Sequence, residues 1–404
     1  MNLIAAGLAL LASAWAYSFF QAGQPLPFPA QNFGISDLEA TNLPLTPASL
    51  EGVYASNTLL RRAHVLFKGQ IEAAETLAIS PDGNLTLLDK YGYLRHAVPT
   101  GQPFPAEWRL VEQPVAYLGP GRPLGVQYDA AGNLVVADAV KGLLLLERDG
   151  GRLVSLTAAV SPSPEHPAGS PFSFANDLEV ASDGSIYFTE SQAIPASVYP
   201  GGAVGARPYI SIFHAFLYGM LSGSPTGRLL RYDPATRTTQ QLAAGLWYAN
   251  GVALAADESY VAVVDSCRAR VVRHWLKGPK AGSTDVLIEN LPGFPDGIDR
   301  APDGNFWVAL VAPVGPLPHA LKFKALRVLL AYLPDWARPP LDHWGAAVKV
   351  SPEGKPLQFL MDPQGEKIAF VSSVLETEDR IYFGNVQLDY VSVLDKADLP
   401  PAQA

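Results

Sequence analysis

Six stretches of this sequence share one frame, and four of them open on a carboxylate or a carboxamide. The six leading residues are Glu75, Leu124, Asn176, Asn250, Asp296 and Ser372. Two carboxylates and two neutral amides brought to one point make the donor set of a hard divalent cation. Ca²⁺ takes about six to eight oxygens, drawn from Asp, Glu and Asn side chains, carbonyls and water. Glu75 and Asp296 would balance its charge, and Asn176 and Asn250 would fill the shell without adding negative charge. Left without a cation, the two carboxylates would face each other in a low-dielectric space, which costs free energy or raises a pKa. The slot holds no Cys and no paired His, so Zn²⁺ and copper fit poorly. A single Asn or Asp before a strand is an ordinary turn residue. Four in register, from four repeats, define a metal site of Glu75, Asn176, Asn250 and Asp296. Asp177, beside Asn176, has two readings: it orients a ligand or a water at the site, or it caps the start of its strand.

The frame that must position these residues is strand, tight turn, strand. It is clearest from Glu75 to Asp89, where Asp82-Gly83 is a hairpin signal between two apolar-rich runs. It recurs from Leu124 to Asp138, Asn176 to Glu190, Asn250 to Asp265 and Asp296 to Leu310, and in degenerate form from Ser372 to Asn385. A third strand follows most copies. Repeated hairpins of this kind are propeller blades, so the chain is expected to be all-β, a six-bladed β-propeller. The innermost strand of each blade lines the central channel, so equivalent slots converge on one axis. A two-layer sandwich would give no reason for six copies of one frame. The segment near His64–Phe67 is expected to supply the strand that closes the ring with the last blade. Two insertions are expected to roof the top face. One, from Ser191 to Pro225, contains the apolar stretch Ile210–Leu221. The other contains Ala320–Leu333, which reads as an amphipathic helix with Lys322, Lys324 and Arg327 among apolar residues. Such a helix packs on a core, or serves as a substrate lid or a membrane-surface contact.

Composition agrees with one large domain. Of 404 residues, 48% are hydrophobic, enough for a sizeable core, and 35 Gly and 36 Pro are spread along the chain as turns would be. A net charge of −9 with no basic block gives nucleic acid no footprint. Cys267 is the one cysteine, so no disulfide within the chain is possible. From Leu3 to Phe20 no residue is charged, and small residues around Ala14 suit cleavage. Residues 1–22 therefore read as a signal peptide or signal anchor, 23–62 as a linker and 63–397 as the propeller. The lumen of the endomembrane system or secretion would follow, and Asn84-Leu85-Thr86 is a glycosylation sequon consistent with it.

Several segments resemble the strictosidine synthase-like family. They are Tyr248-Ala-Asn-Gly-Val-Ala-Leu254, Trp275-Leu-Lys-Gly278, Asn290-Leu-Pro-Gly293 with Pro295-Asp-Gly-Ile298, Gly121-Arg-Pro-Leu-Gly-Val126 and Gly227-Arg-Leu-Leu-Arg-Tyr-Asp-Pro234. The resemblance runs from about Glu72 to Asp395 and extends more distantly to paraoxonases and gluconolactonases, Ca²⁺-dependent hydrolases on the same six-bladed fold. It implies metal ligands at the same four slots. Where related sequences often read Pro-Asp-Asn, this one has Pro295-Asp296-Gly297, one ligand fewer. The namesake enzyme condenses an amine with an aldehyde, using a glutamate of the sixth blade as base. That position falls on or near Ser372, which cannot do a carboxylate's acid–base work.

The leading expectation is therefore hydrolysis of a small-molecule ester or lactone, with the metal polarising the carbonyl. The resemblance to gluconolactonases makes Asp296 a candidate base, and Asp177 is a second catalytic candidate. His214 and His319 lie in the insertions, where a lone His is more often structural. No Gly-x-Ser-x-Gly elbow is present. A synthase with a relocated base and a non-catalytic Ca²⁺-bearing module that binds a partner are the two alternatives.

Overall fold

The computed structural model describes residues 12–13, 34–37, 48–148, 151–164, 167–196, 198–199, 209–315, 321–333 and 341–400. The apolar run Leu3–Phe20, save Ala12 and Ser13, and His319 lie outside the described residues.

Six antiparallel sheets follow one another around an axis. Their innermost strands are Leu77–Ile79, Pro123–Tyr128, Ala175–Val180, Ala249–Leu254, Gly293–Arg300 and Val371–Glu376 in blades 1 to 6. Each inner strand packs against the next, and the sixth packs against the first, so the ring closes. The closing strand is His64–Leu66, which pairs antiparallel with Val391–Asp395 and gives blade 6 its outer edge. The chain is thus a six-bladed β-propeller, with the closure expected from its sequence.

The turn chemistry explains why the frame repeats. In blade 1, Ser80 donates to the Asn84 carbonyl (2.8 Å) and Gly83 donates back to Ser80 (2.8 Å). The same two bonds recur at Asp129 and Gly132, Ala181 and Gly184, Ala255 and Glu258, and Ala301 and Gly304. The turn requires a left-handed residue, which is why Gly recurs there. Blade 4 puts Glu258 in that conformation (φ 54°), and its carboxylate holds Ser182 N at 2.7 Å and Ser182 Oγ at 3.0 Å on the neighbouring blade. Six apolar clusters fill the six spaces between blades; Val126, Val136 and Leu144 of blade 2, for example, meet Ala78, Leu88 and Leu94 of blade 1.

One irregularity positions the site. In blades 2 to 6 the register of the inner strand slips near its start: between Pro123 and Gly125, Ala175 and Leu178, Ala249 and Val252, Pro295 and Ile298, and Val371 and Ser373. Bulges of this kind re-aim a side chain, and the slot residues of these five blades stand at them. The residue after each slot sits where adjoining blades approach closely. A Cβ on Gly297 would lie 2.3 Å from the Ser372 carbonyl oxygen. Gly297 thus has a packing cause: blade 6 backbone occupies the side-chain space. Gly297→Ala is expected to destabilise the protein by about 1–3 kcal/mol, as overpacking does. A lowered urea midpoint would show it, and an unchanged midpoint would remove the close-approach argument.

Two of the described helices belong to the insertions. Helix α1 (Ile212–Ser222) is capped by Ser211 and ends on left-handed Gly223; helix α2 (Lys324–Tyr332) packs against it. Phe216 of α1 meets Tyr248 (5.1 Å between centroids) and Phe294 (5.8 Å), at the starts of the inner strands of blades 4 and 5. The Trp247 indole donates to the Gly219 carbonyl at 2.9 Å, which fixes α1 over that end of the ring. Arg327 of α2 is buried and donates to Leu221 O (3.1 Å) and Ser36 O (2.7 Å).

Candidate metal centre

Glu75 and Asp296 come from blades 1 and 5, and each is 6% exposed. The Asn250 amide of blade 4 donates to Asp296 Oδ1 and lies 3.3 Å from Ser266 Oγ. The Asn176 amide of blade 3 donates to Ser191 Oγ at 2.9 Å. Ser191 and Ser266 each follow the acid that ends a second strand, Glu190 or Asp265. They hold the NH₂ groups of the two carboxamides and so leave the amide oxygens for another partner. The acids before them serve the backbone: Glu190 accepts from Ser173 N (2.7 Å) and Asp265 from Trp247 N (2.8 Å).

Glu75 Oε2 and Asp296 Oδ2 are buried without a hydrogen-bond partner. Burial pushes the Glu75 carboxyl up to about 7, against a lowering by the Arg122 guanidinium. Burial raises Asp296 well above the ordinary carboxylate range, and the nearby Glu75 raises it further. Two hard oxygens that lack partners, with two oriented carboxamides, fit a divalent cation of the Ca²⁺ type. Among the described residues no three of His, Cys, Asp and Glu come together. The shell therefore leans on amide, backbone or water oxygens.

Sequence reasoning missed two neighbours. Arg122 is 1% exposed, with Nη2 3.7 Å from Glu75 Oε2. It stands two residues before Leu124, the one apolar slot, so the blade that offers no oxygen offers a cation instead. Tyr248 is buried, has a left-handed backbone (φ 66°), and is raised by burial and then by Glu75 and Asp296.

The remaining candidates have partners of their own. Asp177 Oδ2 accepts from Val252 N of blade 4 at 3.0 Å, the geometry of a cap between blades. Asp299 does the same for Val374 N of blade 6 at 3.1 Å. His214 pairs its Nδ1 with Ser211 Oγ (2.8 Å) at the start of α1. Ser372 Oγ donates to the Glu75 carbonyl at 2.8 Å. Leu124 packs with Phe174 beneath Ile212 and Ala215 of α1.

Residues 209–279 match the family model described as strictosidine synthase. The Arabidopsis thaliana protein named strictosidine synthase-like 10 is 35% identical, over 68% of this chain and 70% of its own length. The chain belongs to the strictosidine synthase-like family. A second relative is the adipocyte plasma membrane-associated protein of Danio rerio, 30% identical over 86% of this chain and 81% of that one. Among solved structures, a gluconolactonase of Xanthomonas campestris superimposes with a TM-score of 0.54 at 15% identity, over 87% of this chain and 96% of that one. At that identity the likeness is one of fold.

The raised Glu75 carboxyl sets a pH dependence for the metal-free protein. Folding favours the protonated acid, so this stabilisation is complete below the ordinary value of 4.5 and lost as pH rises to about 7. Stability should fall by up to about 1.4 kcal/mol for each pH unit crossed in that window. Urea titrations of chelator-treated protein between pH 5 and pH 8 measure the slope. Glu75→Gln should remove this share of the slope and leave the shares of Asp299 and Glu179, which burial raises to about 6 and about 8.

Proposed function

We propose that this chain is a divalent-cation-dependent hydrolase of small-molecule esters or lactones, with Glu75, Asn176, Asn250 and Asp296 holding Ca²⁺. The observation that carries the reading is the pair of buried carboxylate oxygens, Glu75 Oε2 and Asp296 Oδ2, that lack a partner on the channel axis. When bound, the cation would polarise the substrate carbonyl and stabilise negative charge on its oxygen. The chain's own residues do the rest. Asp296 is the proton acceptor of choice, because burial and Glu75 raise its carboxyl well above the ordinary carboxylate range. The Asn250 amide orients it by donating to Oδ1. Helix α1, with Phe216 against Tyr248 and Phe294, keeps the polar end of the channel under an apolar cover.

The namesake condensation finds less support. Its base position holds Ser372, whose hydroxyl is committed to the Glu75 carbonyl. The nearest acid on that strand, Glu376, is bound to Lys349 (2.8 Å), Lys396 (2.6 Å) and the Trp307 indole (2.5 Å) at the other end of the strand.

A panel of aryl esters and lactones, assayed with and without chelator, tests the proposal. Turnover should vanish with chelator and return with Ca²⁺. Glu75→Gln should lower kcat/KM by about 10²-fold or more. Metal binding that raises Tm with no turnover of any ester or lactone would sink the hydrolase reading. The supporting hydroxyls have a separate signature. Ser191→Ala and Ser266→Ala should each weaken cation affinity about 10- to 100-fold, as loss of an orienting partner does, measured by calorimetric titration with Ca²⁺. Unchanged affinity in both would deny them the orienting role.

A further inference from the structure

We propose that Arg122 is the receptor for a carboxylate, and that the substrate carries this group in addition to the bond that is cleaved. This rests on the hydrolase reading and deepens it. Arg122 is 1% exposed, and neither Nε nor Nη1 has a hydrogen-bond partner. Its Nη2 lies 3.7 Å from Glu75 Oε2, beyond a direct hydrogen bond. The side chain is not there by accident of a loose backbone: Ala139 N donates to the Arg122 carbonyl at 2.9 Å, at the entry to blade 2.

The other acids nearby are already engaged. Asp138 Oδ1 accepts from Val140 N (2.9 Å) and Lys141 N (3.0 Å); its Oδ2, buried without a hydrogen-bond partner, lies 3.5 Å from Lys141 Nζ. Asp89 Oδ1 accepts from Tyr91 N (2.9 Å) and Tyr93 N (3.0 Å). Glu75 is thus the countercharge of Arg122, and it is also the ligand that a cation would claim. Charge balance then selects the ligand. With Asp138 offset by Lys141 and Asp89 by Arg95, two carboxylates, one guanidinium and a divalent cation leave one positive charge in a buried site. A buried guanidinium deprived of its carboxylate is strongly unfavourable until another anion reaches it. A developing oxyanion exists only in the transition state, so it cannot relieve a charge that is present throughout. A monoanion carried by the substrate can, and a carboxylate matches the flat donor array of the guanidinium. Cation and carboxylate should therefore bind cooperatively.

Thermal unfolding of the full chain with butyrate and its neutral isostere butyramide, each with and without Ca²⁺, tests this. Calcium alone should raise Tm. Butyrate should raise it by at least about 2 °C more when Ca²⁺ is present, and by less without Ca²⁺. Butyramide should do nothing. Arg122→Met should keep the calcium shift and lose the butyrate shift. Should that variant fail to fold, Arg122→Lys serves instead and should weaken the butyrate shift while keeping the calcium shift. A calcium shift with equal responses to butyrate and butyramide, or a butyrate shift that survives in the Arg122 variant, overturns the Arg122 role alone. No calcium shift in the wild-type chain overturns both the metal centre and the inference built on it.

Discussion

The structure turns on two carboxyl groups that share one dry axis. Glu75 and Asp296 are nearly inaccessible, Glu75 pushes the Asp296 carboxyl up, and each keeps an oxygen with no hydrogen-bond partner. A fold can tolerate such a pair only if protons, a cation or fixed donors neutralise it. The groups around the axis answer that requirement in part. Arg122 supplies a fixed positive charge and Asn250 an amide proton to Asp296. The partial neutralisation is itself informative. A purely structural pair would be expected to be satisfied by these neighbours, whereas here two oxygens remain open.

The propeller makes this possible because its inner strands break pairing where the slots stand. A regular strand would alternate its side chains between faces and place them in the interfaces between blades. A bulge releases two consecutive residues from the ladder, so one can address the axis while the next meets the adjoining blade. That second position is Gly in blades 2, 4 and 5 and Asp177 in blade 3. Asp177 is tolerated because its carboxylate crosses to Val252 N, and Gly125 leaves it room: a Cβ there would lie 2.5 Å from Asp177 Oδ1.

Much of this was legible in the residues. The repeated hairpin frame marks all six inner strands, and the leading residue of each copy marks the axial position. Both signals are local, a turn type and a period. The ring-closing strand was legible for a topological reason, since an edge must be covered. The neighbours of the site were not. Ser191 and Ser266 act across a hairpin, at a distance in sequence that no motif fixes. Arg122 lies inside a segment that carries the family resemblance, but its burial and its lack of partners are properties of packing. Asp177 adjoins Asn176 in sequence; the bulge sends its carboxylate to Val252 N of blade 4, while its charge still acts on Asp296.

Blade 6 ties the residues at positions 297 and 372 together. Its slot residue is Ser372, and the residue after Asp296 is Gly297. The Ser372 carbonyl oxygen lies 2.3 Å from where a Cβ on Gly297 would be, and the Ser372 hydroxyl donates to the backbone of Glu75. One residue therefore reaches both neighbouring blades, toward blade 5 with its backbone and toward blade 1 with its side chain. A glutamate at this slot could not donate to the Glu75 carbonyl when ionised, and would add a third negative charge to an axis that already carries two. An asparagine at position 297 would need the Ser372 backbone to retreat. Blade 6 is used to seat Glu75 and to close the space beside Asp296.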